Sequence, residues 1–247
     1  MPALPGPVGV VVGLAAEARF AAPLGGHVQA GGGTPAGAEA AVARLLACGV
    51  RALLSFGLAG GLDRALRPGA VIVPGSVIVP RPVMRDASAG GFGSENASGE
   101  YPDALPPFIG MPVDDALASR LGGSTGHRLL AGDVIVASAE EKRHLRETTG
   151  AAAVDLESGA VALAAARVGL PFAVLRVICD PAERTLPDAA LAALDPAGGI
   201  RVLRILGSIA RRPRQIPGLL ALASDAGTAR RALIKRVAAV GQISTSS

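Results

Sequence analysis

Apolar residues in this chain arrive in two alternating rhythms. Short unbroken runs, VGVVV at Val8–Val12, ALLSF at Ala52–Phe56 and FAVLRVICD at Phe172–Asp180, have the length and β-branched content of buried strands. Between them lie Ala-rich stretches, 36–48 and 158–168, that read as helices, the second stopping before Gly169-Leu170-Pro171. Runs and helices in this order predict an α/β protein on a central mixed, largely parallel sheet. GAVIVPGSVIVP predicts one or two short strands, with Pro74 and Pro80 arguing against central ladder positions. HRLLAGDVIVAS predicts another strand, and 140–148 a short charged helix ended by Thr149-Gly150. Gly31–Gly33 and Gly57–Gly61 read as glycine-rich loops. From Arg81 to about Pro112 the rhythm collapses into Gly, Ser, Pro and Asn, which predicts a long loop or irregular insertion.

The apolar pattern is interrupted by acids. Residues 153–180 hold Asp155, Glu157 and Asp180 in otherwise almost wholly apolar sequence, and Glu17 follows the first strand. An unpaired buried carboxylate costs several kcal/mol or gives up its ionisation. Ligands of open α/β sheets gather at the carboxyl ends of strands. Glu17, the Gly57–Gly61 segment and Asp180 all sit just past such ends, and Asp155–Glu157 directly precedes a helix. Convergence on one pocket would account for all of them. Each has a plainer reading: DLES as a helix cap, Asp180 as a turn residue before Pro181, Glu17 as a solvated first-turn acid, the glycines as a tight turn. Their joint placement favours the pocket.

Composition narrows the picture. Half of the 247 residues are hydrophobic, enough for one large domain or two small ones. With no Trp and one Tyr, the chain lacks the stacking platforms of single-strand nucleic-acid binders, and no nucleic-acid partner is expected. The net charge of +4 is unevenly placed: residues 201–247 hold nine Arg or Lys against Asp225, so the body is mildly acidic and the tail basic. Cys48 and Cys179 are too few for a disulfide framework, and His27, His127 and His144 show no metal-ligand spacing; no metal or cofactor is expected. The first apolar run lacks a basic flank and ends at Glu17, which reads as a strand and not a signal peptide. The chain reads as cytoplasmic, with a tail suited to the inner membrane face.

Cleavage of the glycosidic C–N bond of a nucleoside needs these parts. One carboxylate holds ribose hydroxyls, an acid protonates the departing base, and another carboxylate orients a water nucleophile. The motifs GLAAEARF, SFGLAGGLDRALRPGAVIVP, AGDVIV and VDLESGAVALAAARVGLPFAVLRVICD, in this order over about residues 8–190, resemble the nucleoside phosphorylase and methylthioadenosine/S-adenosylhomocysteine nucleosidase superfamily. The resemblance implies a three-layer α/β/α fold, at least a homodimer, and an adenine nucleoside as substrate. It implies that Glu17 activates water and that Asp180 works with N7 of the leaving purine. Glu157 would bind the ribose 2′- and 3′-hydroxyls, with Leu156 beneath the sugar and Asp155 beside it. Ile135 and Val136 would border the purine, Gly60 would lie in the glycine-rich wall, and Arg176 near the nucleophile.

The chain departs from the family at Leu58 and Cys179, where serines are usual. Leu58 removes a hydroxyl from the nucleophile side, and no glycine–arginine phosphate loop follows the first strand. Hydrolysis is favoured slightly over phosphorolysis, and phosphate stays open as co-substrate. GEYPDA at Gly99–Ala104, DPAERTLP and RRPRQIPGLLALASDA resemble the hopanoid-associated phosphorylase-like branch, which implies adenosylhopane as substrate and a ribosylhopane-type product. A soluble methylthioadenosine/S-adenosylhomocysteine nucleosidase or purine nucleoside phosphorylase is the alternative. On this reading residues 1–195 form the catalytic domain, with 81–112 an irregular insertion, and 196–247 a basic helical extension. Arg201, Arg204, Ser208 and Arg211 fall at helical spacing, which suits an anionic membrane surface; packing of the tail on its own domain is the plainer reading.

Overall fold

The computed structural model describes residues 6–80, 108–187, 190 and 213–243. β1 (Val8–Val12), buried at every position, lies between β2 (His27–Ala30) and β3 (Ala52–Gly61) and runs parallel to both. β3 pairs along most of its length with β9 (Phe172–Asp180), again in parallel. At Gly60 and Gly61 it also pairs, antiparallel, with β8 (Ala153–Asp155). From β8 the sheet continues through β7 (Arg128–Ala131) and β5 (Ser76–Pro80) to the edge strand β6 (Phe108–Pro112), while β4 (Val71–Ile72) pairs with β9. Burial on both faces explains why β1, β3 and β9 read as continuous apolar runs.

Helices flank this sheet. α1 is the single turn Ala18–Ala21. α2 (Pro35–Ala47) begins where the Thr34 hydroxyl accepts the Gly37 N–H at 3.1 Å, and it buries Ala38, Ala41, Val42 and Leu45 at helical spacing. α3 (Asp115–Arg120) and α4 (Ala139–Thr149) are likewise capped by Asp114 and Ser138. α5 (Ser158–Val168) packs against α2 and close to β7; a Cβ at Gly159 would stand 2.6 Å from that of Ala131, so only glycine allows this approach. α6 (Ile216–Val240) lies against β9 and sends Ala229, Leu233 and Val237 into the same core as the strands.

Three sequence expectations change. Gly57–Gly61 is not a loop: β3 runs through it, because β9 and then β8 supply ladder partners beyond Phe56. The strand expected across HRLLAGDVIVAS stops at Ala131, opposite Asp155, where β8 itself ends; Gly132–Ser138 is irregular. Within the expected insertion, Phe108–Pro112 is a strand; it pairs with β5, and an edge position tolerates its proline. The remainder of that insertion, 81–107, and the expected amphipathic stretch around Arg201–Arg211 lie outside the described residues. No described helix is long and apolar enough to cross a membrane.

The packing of α6 has a measurable consequence. Leu233→Ala should cost about 2–5 kcal/mol in urea unfolding, whereas Leu220→Ala, at a position 66% exposed, should stay within about 0.5 kcal/mol. Both should unfold in a single transition. A separate early phase in the Leu233 variant would show that α6 unfolds as a unit of its own.

Candidate active site

Arg176 of β9 is the largest fully buried side chain among the described residues. Its Nη2 donates to Ser55 Oγ of β3 at 2.7 Å and to Glu157 Oε2 at 3.0 Å, and it is ion-paired with Asp155. Nη1 approaches the Leu58 carbonyl at 3.4 Å. Asp155 ends β8 and is engaged at both oxygens: Oδ1 accepts the Ser158 N–H at 3.3 Å, and Oδ2 meets the Ser158 hydroxyl and Arg176. Ser158 Oγ also reaches Ser55 Oγ, at 3.0 Å. β3, β8, β9 and the start of α5 are thus tied together through one guanidinium.

Glu17 arrives from the other side, on the 3₁₀ turn Ala15–Glu17 that follows β1. Its Oε2 accepts the Leu14 N–H at 3.0 Å. Two glycines make room. A Cβ at Gly57, where φ is +148°, would stand 2.7 Å from Arg176 Nη1 and 3.1 Å from Glu17 Oε2. A Cβ at Gly13 would stand 2.8 Å from Glu157 Oε1 and 3.2 Å from Glu17 Oε2. The two glutamates therefore crowd the same space beside the end of β1.

Three carboxylates share this one cation, and the proton affinities of the two glutamates reflect it. Burial pushes the Glu157 carboxyl up to about 7; Arg176 opposes the shift, and Asp155 and Glu17 reinforce it. Burial likewise raises Glu17, against the pull of the Leu14 N–H and Arg176. Burial alone would lower the Arg176 pKa, but Asp155, Glu157 and Glu17 together outweigh it, and the guanidinium stays charged. A carboxyl that titrates near neutrality can exchange protons during a reaction.

Asp180 forms a second centre at the end of β9. The register with β3 passes from Ala59 opposite Ile178 to Gly60 opposite Asp180, so Cys179 is the extra residue of a bulge that re-aims the acid. Asp180 Oδ2 is bonded by the ammonium of Lys142, a fully buried side chain from α4. Oδ1 is buried with no hydrogen-bond partner among the described residues. Burial raises the Asp180 pKa, while Lys142 and then Arg184 pull it down. The Cys179 thiol is pushed up to about 12 by burial and by Asp180, so it stays protonated.

The residues expected from sequence fall into groups. Glu17, Asp155, Glu157 and Arg176 converge directly. Gly60 adjoins Asp180, since a Cβ there would stand 3.9 Å from its Oδ2. Leu156 is half-buried between the two acids of its segment. Ile135 is exposed, and Val136 packs in a small core with Leu62, Ile78 and Leu130. Asp155 has both oxygens committed to protein partners and acts as an internal support here, whereas Arg176 spends Nη2 on Ser55, Asp155 and Glu157 while its buried Nε has no hydrogen-bond partner among the described residues. Ser55, Ser158, Gly13 and Lys142 went unnoticed in the sequence. Ser55 was signalled as the one polar residue of ALLSF, and Lys142 by its line with Leu145 and Thr149, three and seven residues on, along one face of α4. A cavity of about 340 Å³ between α3 and α6, lined by Ser119, Arg120, Arg236 and Gln242, includes none of these residues.

Solved structures of similar fold are nucleosidases and a related hydrolase. A mutant of the 5′-methylthioadenosine/S-adenosylhomocysteine nucleosidase of Helicobacter pylori, with 5′-methylthioadenosine in its active site, superposes with a TM-score of 0.59 at 18% identity, over 95% of this chain and 99% of that one. The Helicobacter pylori futalosine hydrolase gives 0.57 at 20% identity, over 83% and 97%. The nucleosidase of Colwellia psychrerythraea in complex with adenine gives 0.56 at 22% identity, over 84% and 97%. At these identities the likeness speaks for the fold. Residues 27–206, well over half of the chain, match the family described as the phosphorylase superfamily. By that match across β2 to β9 and the acids between them, the chain belongs to the phosphorylase superfamily.

Proposed function

We propose that the protein hydrolyses the N-glycosidic bond of an adenine nucleoside, with adenosylhopane as the substrate. One observation carries the chemistry: Glu17 and Glu157 are pressed together beside a guanidinium that is already shared with Asp155. In the proposed reaction Glu157 accepts hydrogen bonds from the ribose hydroxyls. The C1′–N9 bond breaks with its electron pair leaving on the base, and N7 takes the proton held by Asp180. A water oxygen bonds to C1′ and gives a proton to Glu17, and solvent later returns the equivalent proton to Asp180. The carboxylates stabilise the oxocarbenium-like centre between these events.

Water is favoured over phosphate on charge grounds. Arg176 is the cation of the acid cluster, and its partners already use it; phosphate would add negative charge beside three carboxylates. The lipid substrate rests on the sequence motifs shared with the hopanoid-associated branch and on the basic tail, which suits an anionic membrane. A soluble methylthioadenosine/S-adenosylhomocysteine nucleosidase is the second reading, favoured by the structural neighbours with 5′-methylthioadenosine and adenine bound. Leu156 beneath the sugar and the exposed Ile135 beside Val136 would border the nucleoside in either case, and a homodimer is expected.

Adenine release from adenosylhopane in detergent, with and without phosphate and beside methylthioadenosine, separates these readings. Release from the lipid without phosphate is expected. Strict phosphate dependence would make the protein a phosphorylase, and cleavage of methylthioadenosine alone would sink the lipid assignment. Asp180→Asn should lower turnover at least about 100-fold with an unchanged circular dichroism spectrum. Wild-type-like activity there would remove Asp180 from the mechanism. Glu157 titrates near 7 in the folded protein, above its ordinary 4.5, and must be ionised to accept from two hydroxyls. Its ionised fraction falls as pH drops below that value, so kcat/KM should rise with pH through about 7, approaching tenfold per unit on the acid side. A profile flat from about pH 6 to 8 would contradict this role for Glu157.

A further inference from the structure

The helix α4 takes no part in the chemistry above, yet it delivers a fully buried lysine to Asp180. The Lys142 ammonium donates to Asp180 Oδ2, to the Pro181 carbonyl at 3.1 Å and to the Arg184 carbonyl at 2.9 Å. Three donors thus meet three acceptors. The residue type is informative in this chain, because its 24 basic residues include two lysines, Lys142 and Lys235. A planar five-donor guanidinium does not suit a closed slot whose three acceptors come from one strand end and the turn after it; a tetrahedral ammonium does.

We propose that Lys142 is a positioning residue for Asp180: it fixes one carboxylate oxygen, leaves the other to the departing base, and governs the proton that Asp180 holds. This rests on the reading of Asp180 as the group that works with the leaving purine. With Oδ2 held, Oδ1 is the oxygen that lacks a partner among the described residues. When the proton of Asp180 moves to N7, a carboxylate is left in a buried place, and the adjacent ammonium stabilises that new charge. No proton moves to or from Lys142.

The charged surroundings of Asp180 single out this lysine. Arg184, on the segment after β9, is ion-paired with Asp225 of α6, which opposes its pull on Asp180, and that pull ranks behind the one from Lys142. Cys179 is protonated. Among the described residues, Lys142 is the cation that both neighbours Asp180 and bonds it. Without its charge, burial acts on Asp180 with little opposition; the acid holds its proton more tightly and gives it up less readily.

The test is the pH profile of kcat in Lys142→Gln, measured on the adenine nucleoside that the full chain cleaves fastest. The carboxamide keeps a donor but no charge. The alkaline limb should move up by about one unit or more, and kcat should fall at least about tenfold. A folded variant whose limb stays in place overturns the proposal, however far kcat falls, because a purely structural lysine would do that. Should the variant fail to fold, the unmodified chain labelled with ε-15N-lysine answers instead. Lys235 is exposed, so the slowly exchanging Nζ signal is that of Lys142. That signal should shift with a midpoint matching the alkaline limb, and one that stays still across the limb overturns the proposal. Full activity of Asp180→Asn would instead remove the reading of Asp180 itself, with the NMR titration still reporting whether Lys142 and Asp180 are coupled.

Discussion

The buried guanidinium of Arg176 is the contact on which the rest of the site depends. Without it, Asp155, Glu157 and Glu17 would place three acids in a space from which water is largely excluded, with nothing from Arg176 to oppose the burial that already raises Glu157 and Glu17. With it, the cluster keeps a cation at its centre and one proton affinity close to neutral pH. The same contact is structural. Arg176 joins β9 to β3 through Ser55 and to the β8–α5 junction through Asp155 and Glu157, so charge compensation and strand packing are one arrangement. A buried pair of this kind is weak evidence for stability in itself; its value lies in fixing where the glutamates point.

A division of labour follows from the bulge at Cys179. Along β9, Arg176 faces the carboxylates that would surround a sugar, and Asp180, re-aimed past the extra residue, faces a different set of partners. Each half has its own buried cation, Arg176 for one and Lys142 for the other. The two are not interchangeable. A planar fork suits a fan of carboxylate and hydroxyl oxygens, whereas an ammonium suits three convergent acceptors. Because the two acid centres are neutralised separately, their proton affinities can be set apart, as acid and base roles in one reaction require.

Much of the sheet was legible because burial on both faces writes itself as continuous apolar sequence: Val8–Val12, Ala52–Phe56 and Phe172–Asp180 needed no tertiary information. The extension of β3 through Gly57–Gly61 was not legible, since glycine has no strand preference of its own and the pairing with β8 and β9 comes from chain segments some ninety residues or more away. β8 was hidden for the same reason: a three-residue strand carries no periodicity. Among the acids, proximity to strand ends pointed to Glu17 and Asp180, and a place just before a helix in apolar sequence to Asp155 and Glu157. The commitment of Asp155 to Ser158 and Arg176 could not be read, because Ser158 looked like an ordinary helix residue and the resemblance placed Arg176 near the nucleophile without pairing it to Asp155. Lys142 was masked by the charged residues around it, and only its inward position on α4 separates it from them.

Hydrogen-bond accounting then limits what the site can receive. Carboxylates in their ionised form only accept, and the glutamate oxygens that crowd the space beside Gly13 and Gly57 are then acceptors; Asp180, at the far end, donates while it holds its proton in the proposed reaction and accepts once that proton has moved. Arg176 Nη2 and the Lys142 ammonium are spent on acids, on the Ser55 hydroxyl and on nearby carbonyls, which leaves the buried Arg176 Nε as a donor without a partner among the described residues. A complementary ligand must therefore bring hydroxyls and a water as donors beside the glutamates, and beside Asp180 a ring nitrogen that takes a proton. A nucleoside with free ribose hydroxyls and a purine that gains a proton as it leaves meets that requirement. In the proposed hydrolysis an oxyanion nucleophile would bring further acceptors beside Glu17 and Glu157, and on charge grounds that favours water.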